Sequence, residues 1–80
     1  MNAFSFIIRE TDNSREFSGV VSLSLPAAAG YFTILPDHGD LIAETSSGTC
    51  TIAHSEGEES FKLLTSGLFT IQGGRAVLIV

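Results

Sequence analysis

Apolar residues in this chain recur with a period of two, and clusters of turn-forming residues interrupt them about every ten positions. Successive side chains of an extended strand point to opposite sides, so Val20-Val21-Ser22-Leu23-Ser24-Leu25 sets Val21, Leu23 and Leu25 on one face, toward a core. Thr49-Cys50-Thr51-Ile52-Ala53 alternates in the same way. Phe4–Ile8, Phe61–Leu64, Leu68–Ile71 and Ala76–Val80 complete six short strand segments. Asp12-Asn13-Ser14, Ser46-Ser47-Gly48, Ser55-Glu56-Gly57 and Gly73-Gly74 are the turn clusters, the last two at hairpin spacing. Gly73-Gly74 permits the two positive φ angles of a type I′ turn. No segment carries a 3.6-residue period, and Ala27-Ala28-Ala29 is bracketed too tightly by Pro26 and Gly30 to be more than a loop. The pattern predicts an all-β sandwich or barrel, one domain over residues 1–80 without linker, repeat or low-complexity tract.

A chain of 80 residues removes only about 60–65% of its unfolded surface from water, so its core has to be dense. The composition, 44% hydrophobic and 16% charged, suits a packed domain, and the scarcity of charge suggests that part of the surface is covered in a complex. A net charge of −5, with Arg9, Arg15, Lys62 and Arg75 scattered, excludes a basic stripe for nucleic acid. Cys50 has no partner for an intramolecular disulfide, which fits a reducing compartment. Residues 1–10 lack the pattern of a secretory signal, and the longest uncharged stretch is broken by serines, glycines and prolines, unlike a membrane-spanning helix.

The densest collection of chemically able side chains is GYFTILPDHGDL, residues 30–41, with Asp37, His38 and Asp40. Carboxylates and an imidazole at that spacing are the ingredients of a divalent metal site or an acid–base pair. A hydrolytic metal site needs three or four ligands on rigid elements, however, and the second histidine, His54, lies in a separate strand. No Gly-x-Ser-x-Gly elbow accompanies the serines, and a strand rather than a helix follows Gly73-Gly74, so neither a nucleophile nor a phosphate loop is indicated. Cys50 alternates with Ile52 as a small buried hydrophobe, and Glu56, Glu58 and Glu59 read as a solvated hairpin tip. The phenylalanines fall mostly on core positions. Phe32, with Tyr31 in the proline-bounded loop, is the one to suit an exposed interface anchor.

Phe17-Ser18-Gly19-Val20-Val21, then Pro26, Gly30, Phe32, Ile34-Leu35-Pro36, His38 and Leu41, then Gly48, and finally Ser66-Gly67 before a closing strand, resemble the N-terminal domain of the epsilon subunit of F-type ATP synthases. Gly30 to His38, read as G-x-F-x-I-L-P-x-H, is the most specific piece. The resemblance implies a flattened β-sandwich of about ten short strands. It also implies a non-catalytic part with no cofactor or metal, peripheral to the membrane on its cytoplasmic face. Such a subunit sits at the foot of the central stalk, binds the gamma subunit, touches the c-ring and helps couple ion transport to ATP synthesis. On this reading Gly30, Tyr31, Phe32, Pro36, His38, Asp40 and Leu41 belong to a docking loop facing gamma and the ring, and the membrane is met only through the complex.

Four positions depart from the family pattern: Tyr31 replaces an acidic or polar residue, Thr33 a glycine, Asp40 a proline and Ser66 the first of a glycine pair. A side chain at Thr33 restricts a backbone that glycine leaves free. Family members continue into a C-terminal helical hairpin that restrains ATP hydrolysis, whereas this chain stops at Val80, as a short or truncated form does. That regulatory role is not carried over. The alternative reading is a stand-alone β-sandwich binding module diverged from the epsilon subunit.

Overall fold

The alternating segments become eight strands within residues 3–80, which the computed structural model of the protein describes; positions 1 and 2 of the expected domain lie outside the described residues. They are β1 (Phe4–Arg9), β2 (Ser14–Ala27), β3 (Gly30–Ile34), β4 (Leu41–Thr45), β5 (Gly48–His54), β6 (Gly57–Leu63), β7 (Gly67–Gln72) and β8 (Arg75–Ile79). Hydrogen bonding runs in the order β4-β7-β8-β1-β2-β5-β6, with β3 also on β2, and only the β1–β8 pair is parallel.

The 14-residue β2 is the reason a single hydrogen-bonded path makes a sandwich. Its first half pairs β1, whereas its second half lies between β3 and β5. The bend between the halves is marked by register shifts at Phe4/Phe6 against β1 and at Val20/Ser22 against β5, with Gly19 at φ 66°. Inserted residues of this kind kink a strand and change which side chains face inward. As a result the core side chain is Val20, fully buried, and Val21, expected inside by simple alternation, is half-buried. One strand serving two layers also explains why eight strands build the architecture for which about ten short ones are expected.

Phe6, Ile8, Phe69, Ile71 and Leu78 project from the β4-β7-β8-β1 layer into the core, and Leu23, Leu25, Ile34, Cys50 and Ile52 from the other. Burying an aliphatic or aromatic side chain of this size contributes roughly 1.5–3 kcal/mol. Phe32 of β3 meets Phe69 of β7 edge-on, centroids 5.9 Å apart at 63°, and so ties the layers together. At another rim Arg15 closes the gap between them. Its guanidinium lies 5.4 Å from the Phe17 ring centre and 4.8 Å from that of Phe61, rings themselves stacked at 6.1 Å. Glu59, read as part of a purely solvated tip, reaches Arg15 Nη2 at 3.9 Å and the ring of His54 at 2.9 Å.

The stretch 30–41 differs most from its reading as one loop. Gly30–Ile34 pairs the end of β2 as a hairpin across Ala28 and Ala29, and β4 begins at Leu41, leaving only residues 35–40 between strands. The tight turn at Gly73-Gly74 is as expected: both φ angles are positive, 57° and 77°, and Gln72 pairs Arg75 across it.

Candidate docking surface

Because Phe69, Ile71, Ala76 and Leu78 point inward, the side chains between them point outward, and several of those are also apolar. Register aligns them into two rows across the layer. Ile42 faces Thr70, Thr70 faces Val77 and Val77 faces Ile7; beside this row, Glu44 faces Leu68, Leu68 faces Ile79 and Ile79 faces Arg9. Ile42 is 73% exposed, Ile79 52% and Leu68 43%. The centre of this face is aliphatic and its charges stand at the margins: Glu44 and Arg9 at the ends of one row, Glu16 beside Ile7 at the end of the other, and Arg75 level with Gln72 and Ser5. Contiguous apolar surface rimmed by charge is what association sites present, whereas scattered single hydrophobes mean little.

The opposite outer face has the contrary character. Thr33, Ser24, Thr51 and Ser60 lie in register across β3, β2, β5 and β6, and the Thr51 and Ser60 hydroxyls are 3.2 Å apart. Hydroxyls retain their bonds to water at low cost, so this side has no comparable drive to be covered.

Segment 35–40 leads directly into β4 at the margin of the apolar face. Asp37 adopts φ 68°, a left-handed conformation that Asp tolerates better than most residues. The His38 amide donates to Leu35 O at 3.2 Å, and its ring Nδ1 lies 2.7 Å from Gly39 O; a carbonyl accepts only, so Nδ1 carries the proton. Asp40 Oδ1 accepts the Gly73 amide at 3.3 Å, which joins the loop to the β7–β8 turn. Pro36 and Leu41 are half-buried, Leu41 pairing Ile71.

On β3, Gly30 takes φ 127° where the hairpin closes. Tyr31 is 61% exposed, yet its hydroxyl accepts the Thr49 amide at 3.3 Å. That amide would otherwise lack a strand partner: β2–β5 pairing ends at Ser24 and Thr51, and Pro26 O is taken by the Ser46 amide at 3.0 Å. Phe32 is half-buried against Phe69 rather than an exposed anchor. The seven positions expected in a docking loop therefore divide between a strand edge, a short loop and the start of the next strand.

Among the described residues no three His, Cys, Asp or Glu side chains are placed to hold a metal ion, and Asp40 and His38 are turned to different backbone partners. Cys50 is buried, and loss of water around the thiolate pushes its pKa up to about 12. Sequence reasoning missed the two outward rows that hold Ile42, Leu68 and Ile79. The usable signal was the unbroken apolar run Ala76–Val80: a strand facing water on one side alternates, and one apolar on both sides has both sides to cover.

The fold and this face define a small β-sandwich domain with one aliphatic and one hydroxyl-bearing outer side. The sequence profile of the β-sandwich domain of the ATP synthase delta/epsilon chain matches residues 4–80, and the chain belongs to that family. The ATP synthase epsilon chain of Jannaschia sp. (strain CCS1) is 32% identical over 60 residues, a match covering 75% of this chain and 45% of that one. This chain thus spans about half the length of that curated relative. Its fold also matches a chain in the cryo-EM structure of the Tetrahymena thermophila mitochondrial ATP synthase central stalk and c-ring, with a TM-score of 0.81 at 12% identity, over 99% of this chain and 63% of the other. Among the described residues no helix is long and apolar enough to cross a membrane.

Proposed function

We propose that the domain is a non-catalytic component of the central stalk of an F-type ATP synthase, peripheral to the cytoplasmic face of the membrane, and helps couple ion transport to ATP synthesis. It docks on the gamma subunit through the aliphatic outer face of β4, β7, β8 and β1, and the adjoining segment 35–40 meets the polar loops of the c-ring. The observation that carries this reading is the register of Ile42, Leu68, Val77, Ile79 and Ile7 on one outer face, in a chain that belongs to the ATP synthase delta/epsilon family.

The departures at Tyr31 and Asp40 do not require a different partner, because both side chains have work inside the fold, at the Thr49 and Gly73 amides. Thr33 continues the hydroxyl row on the opposite face. Size-exclusion chromatography of the chain mixed with the gamma subunit of the same organism tests the reading: co-elution supports it, and separate elution at micromolar concentrations contradicts it.

A further inference from the structure

A second cluster of titratable groups sits away from the apolar face, at the β5–β6 hairpin. His54 ends β5, and its ring is engaged at both nitrogens. Nε2 lies 2.9 Å from Glu59 Oε2, and Nδ1 lies 3.3 Å from the Glu56 amide nitrogen in the turn. An amide N–H only donates, so Nδ1 must present its lone pair, and the single proton of the neutral ring is on Nε2, directed at the Glu59 carboxylate. Only one tautomer satisfies both contacts.

The turn so held lies against the bend of β2. A Cβ built on Gly19, at φ 66°, would meet Ser55 Oγ at 3.6 Å, and Val20 pairs His54 beside the register shift that redirects β2 between the layers. The charged groups on the side of the ring are Glu59 on β6 and Arg15 on β2; Glu56 lies in the turn, and Glu58, paired with Ala53, is on the other face of the hairpin. Arg15 Nη2 stands 3.9 Å from Oε1, the other oxygen of Glu59.

We propose that His54 is a proton-sensitive latch: neutral, it fastens the β5–β6 turn over the β2 bend, and protonated, it releases the turn while keeping Glu59. A second ring proton goes to Nδ1, where it faces the Glu56 N–H, donor against donor, and that bond is lost. The Nε2–H contact with Glu59 meanwhile becomes a charge-assisted pair, in which the imidazolium shares the carboxylate with Arg15. Protonation therefore loosens the turn and tightens the rim between the layers, and this holds whichever partner covers the opposite face.

Nuclear magnetic resonance of the 15N-labelled protein tests the latch. Long-range nitrogen correlations at pH 8 are expected to show His54 as the Nε2–H tautomer. From pH 8 to pH 5 the Glu56 amide shift should follow the His54 titration curve. Its hydrogen-exchange protection, corrected for intrinsic rates, should fall about fivefold, as loss of one net hydrogen bond gives, while the Gly73 amide is unaffected. In His54→Phe the Glu56 inflection should vanish. Glu59→Gln retains an acceptor for Nε2–H and should retain the inflection. An Nδ1–H tautomer at pH 8, or a Glu56 amide that ignores His54 in the unmodified protein, overturns the proposal. An inflection that persists in His54→Phe also overturns it, since the neighbouring carboxylates would then be its source.

Discussion

Three positions show how single residues hold this sandwich. Tyr31 has the exposure of a docking aromatic, but its hydroxyl also satisfies the Thr49 amide where the β2–β5 ladder has run out. Tyr31→Phe keeps the ring and removes that acceptor; it should lower stability by about 1 kcal/mol in chemical denaturation and leave the affinity for gamma within about twofold. Gly67 explains why a glycine belongs before the closing hairpin. A Cβ there would stand 2.6 Å from the Ile79 carbonyl oxygen and 2.7 Å from Val80 Cγ1, so Gly67→Ala has to push a neighbouring strand aside and should cost about 1–3 kcal/mol. Cys50, its pKa raised from 9.0 to about 12 by burial, keeps its proton in the fold under conditions that ionise it in the unfolded chain. Above pH 9 the unfolded state binds fewer protons, so this thiol's contribution to stability, complete below pH 9, falls as pH rises toward 12. At pH 8 native Cys50 should resist alkylation and react at once in denaturant; rapid modification of the folded protein would contradict its burial.

Among the elements, β2 was the least legible in the sequence. Leu23-Ser24-Leu25 identifies its second half, but the bulge beside Gly19 changes the parity, and no local feature of Val20-Val21 says which of the two goes inside. Substitution separates them: Val20→Ala should cost about 2 kcal/mol and Val21→Ala less than about 1 kcal/mol in the same denaturant series. The first halves of β2 and β6 were also hidden, since Arg15 and Glu16, or Glu58 and Glu59, resemble loop residues until Arg15 is seen across Phe17 and Phe61. Between β3 and β4 the cluster Pro36 to Asp40 has the composition of a chemical site. The alternation of Phe32 with Ile34 on one side, and Leu41-Ile42-Ala43 on the other, was the true guide to structure. Turns were the most readable elements, because the φ angles of Gly73 and Gly74 follow from the absence of a side chain.

At the scale of the molecule, the all-β class followed from period and punctuation, and the two unlike outer faces emerged only once β4, β7, β8 and β1 were set in register. Sequence parity locates Ile79 or Leu68 on an outward position, but pairing across strands is long-range information, and it is pairing that turns single residues into a surface. On the proposed reading the same pairing also fits the low charge of so small a domain, since an aliphatic face that docks on a partner carries few charges of its own. The most direct measurement is calorimetric titration of the cognate gamma subunit with the unmodified chain, with Ile42→Asp/Ile79→Asp, and with Thr51→Asp on the hydroxyl face. If the aliphatic face docks on gamma, the double variant should keep its fold by circular dichroism and lose at least about 30-fold in affinity, as central hot spots do, while Thr51→Asp binds like the unmodified chain. Undiminished binding by the folded double variant, or a loss confined to Thr51→Asp, would contradict the assignment of that face.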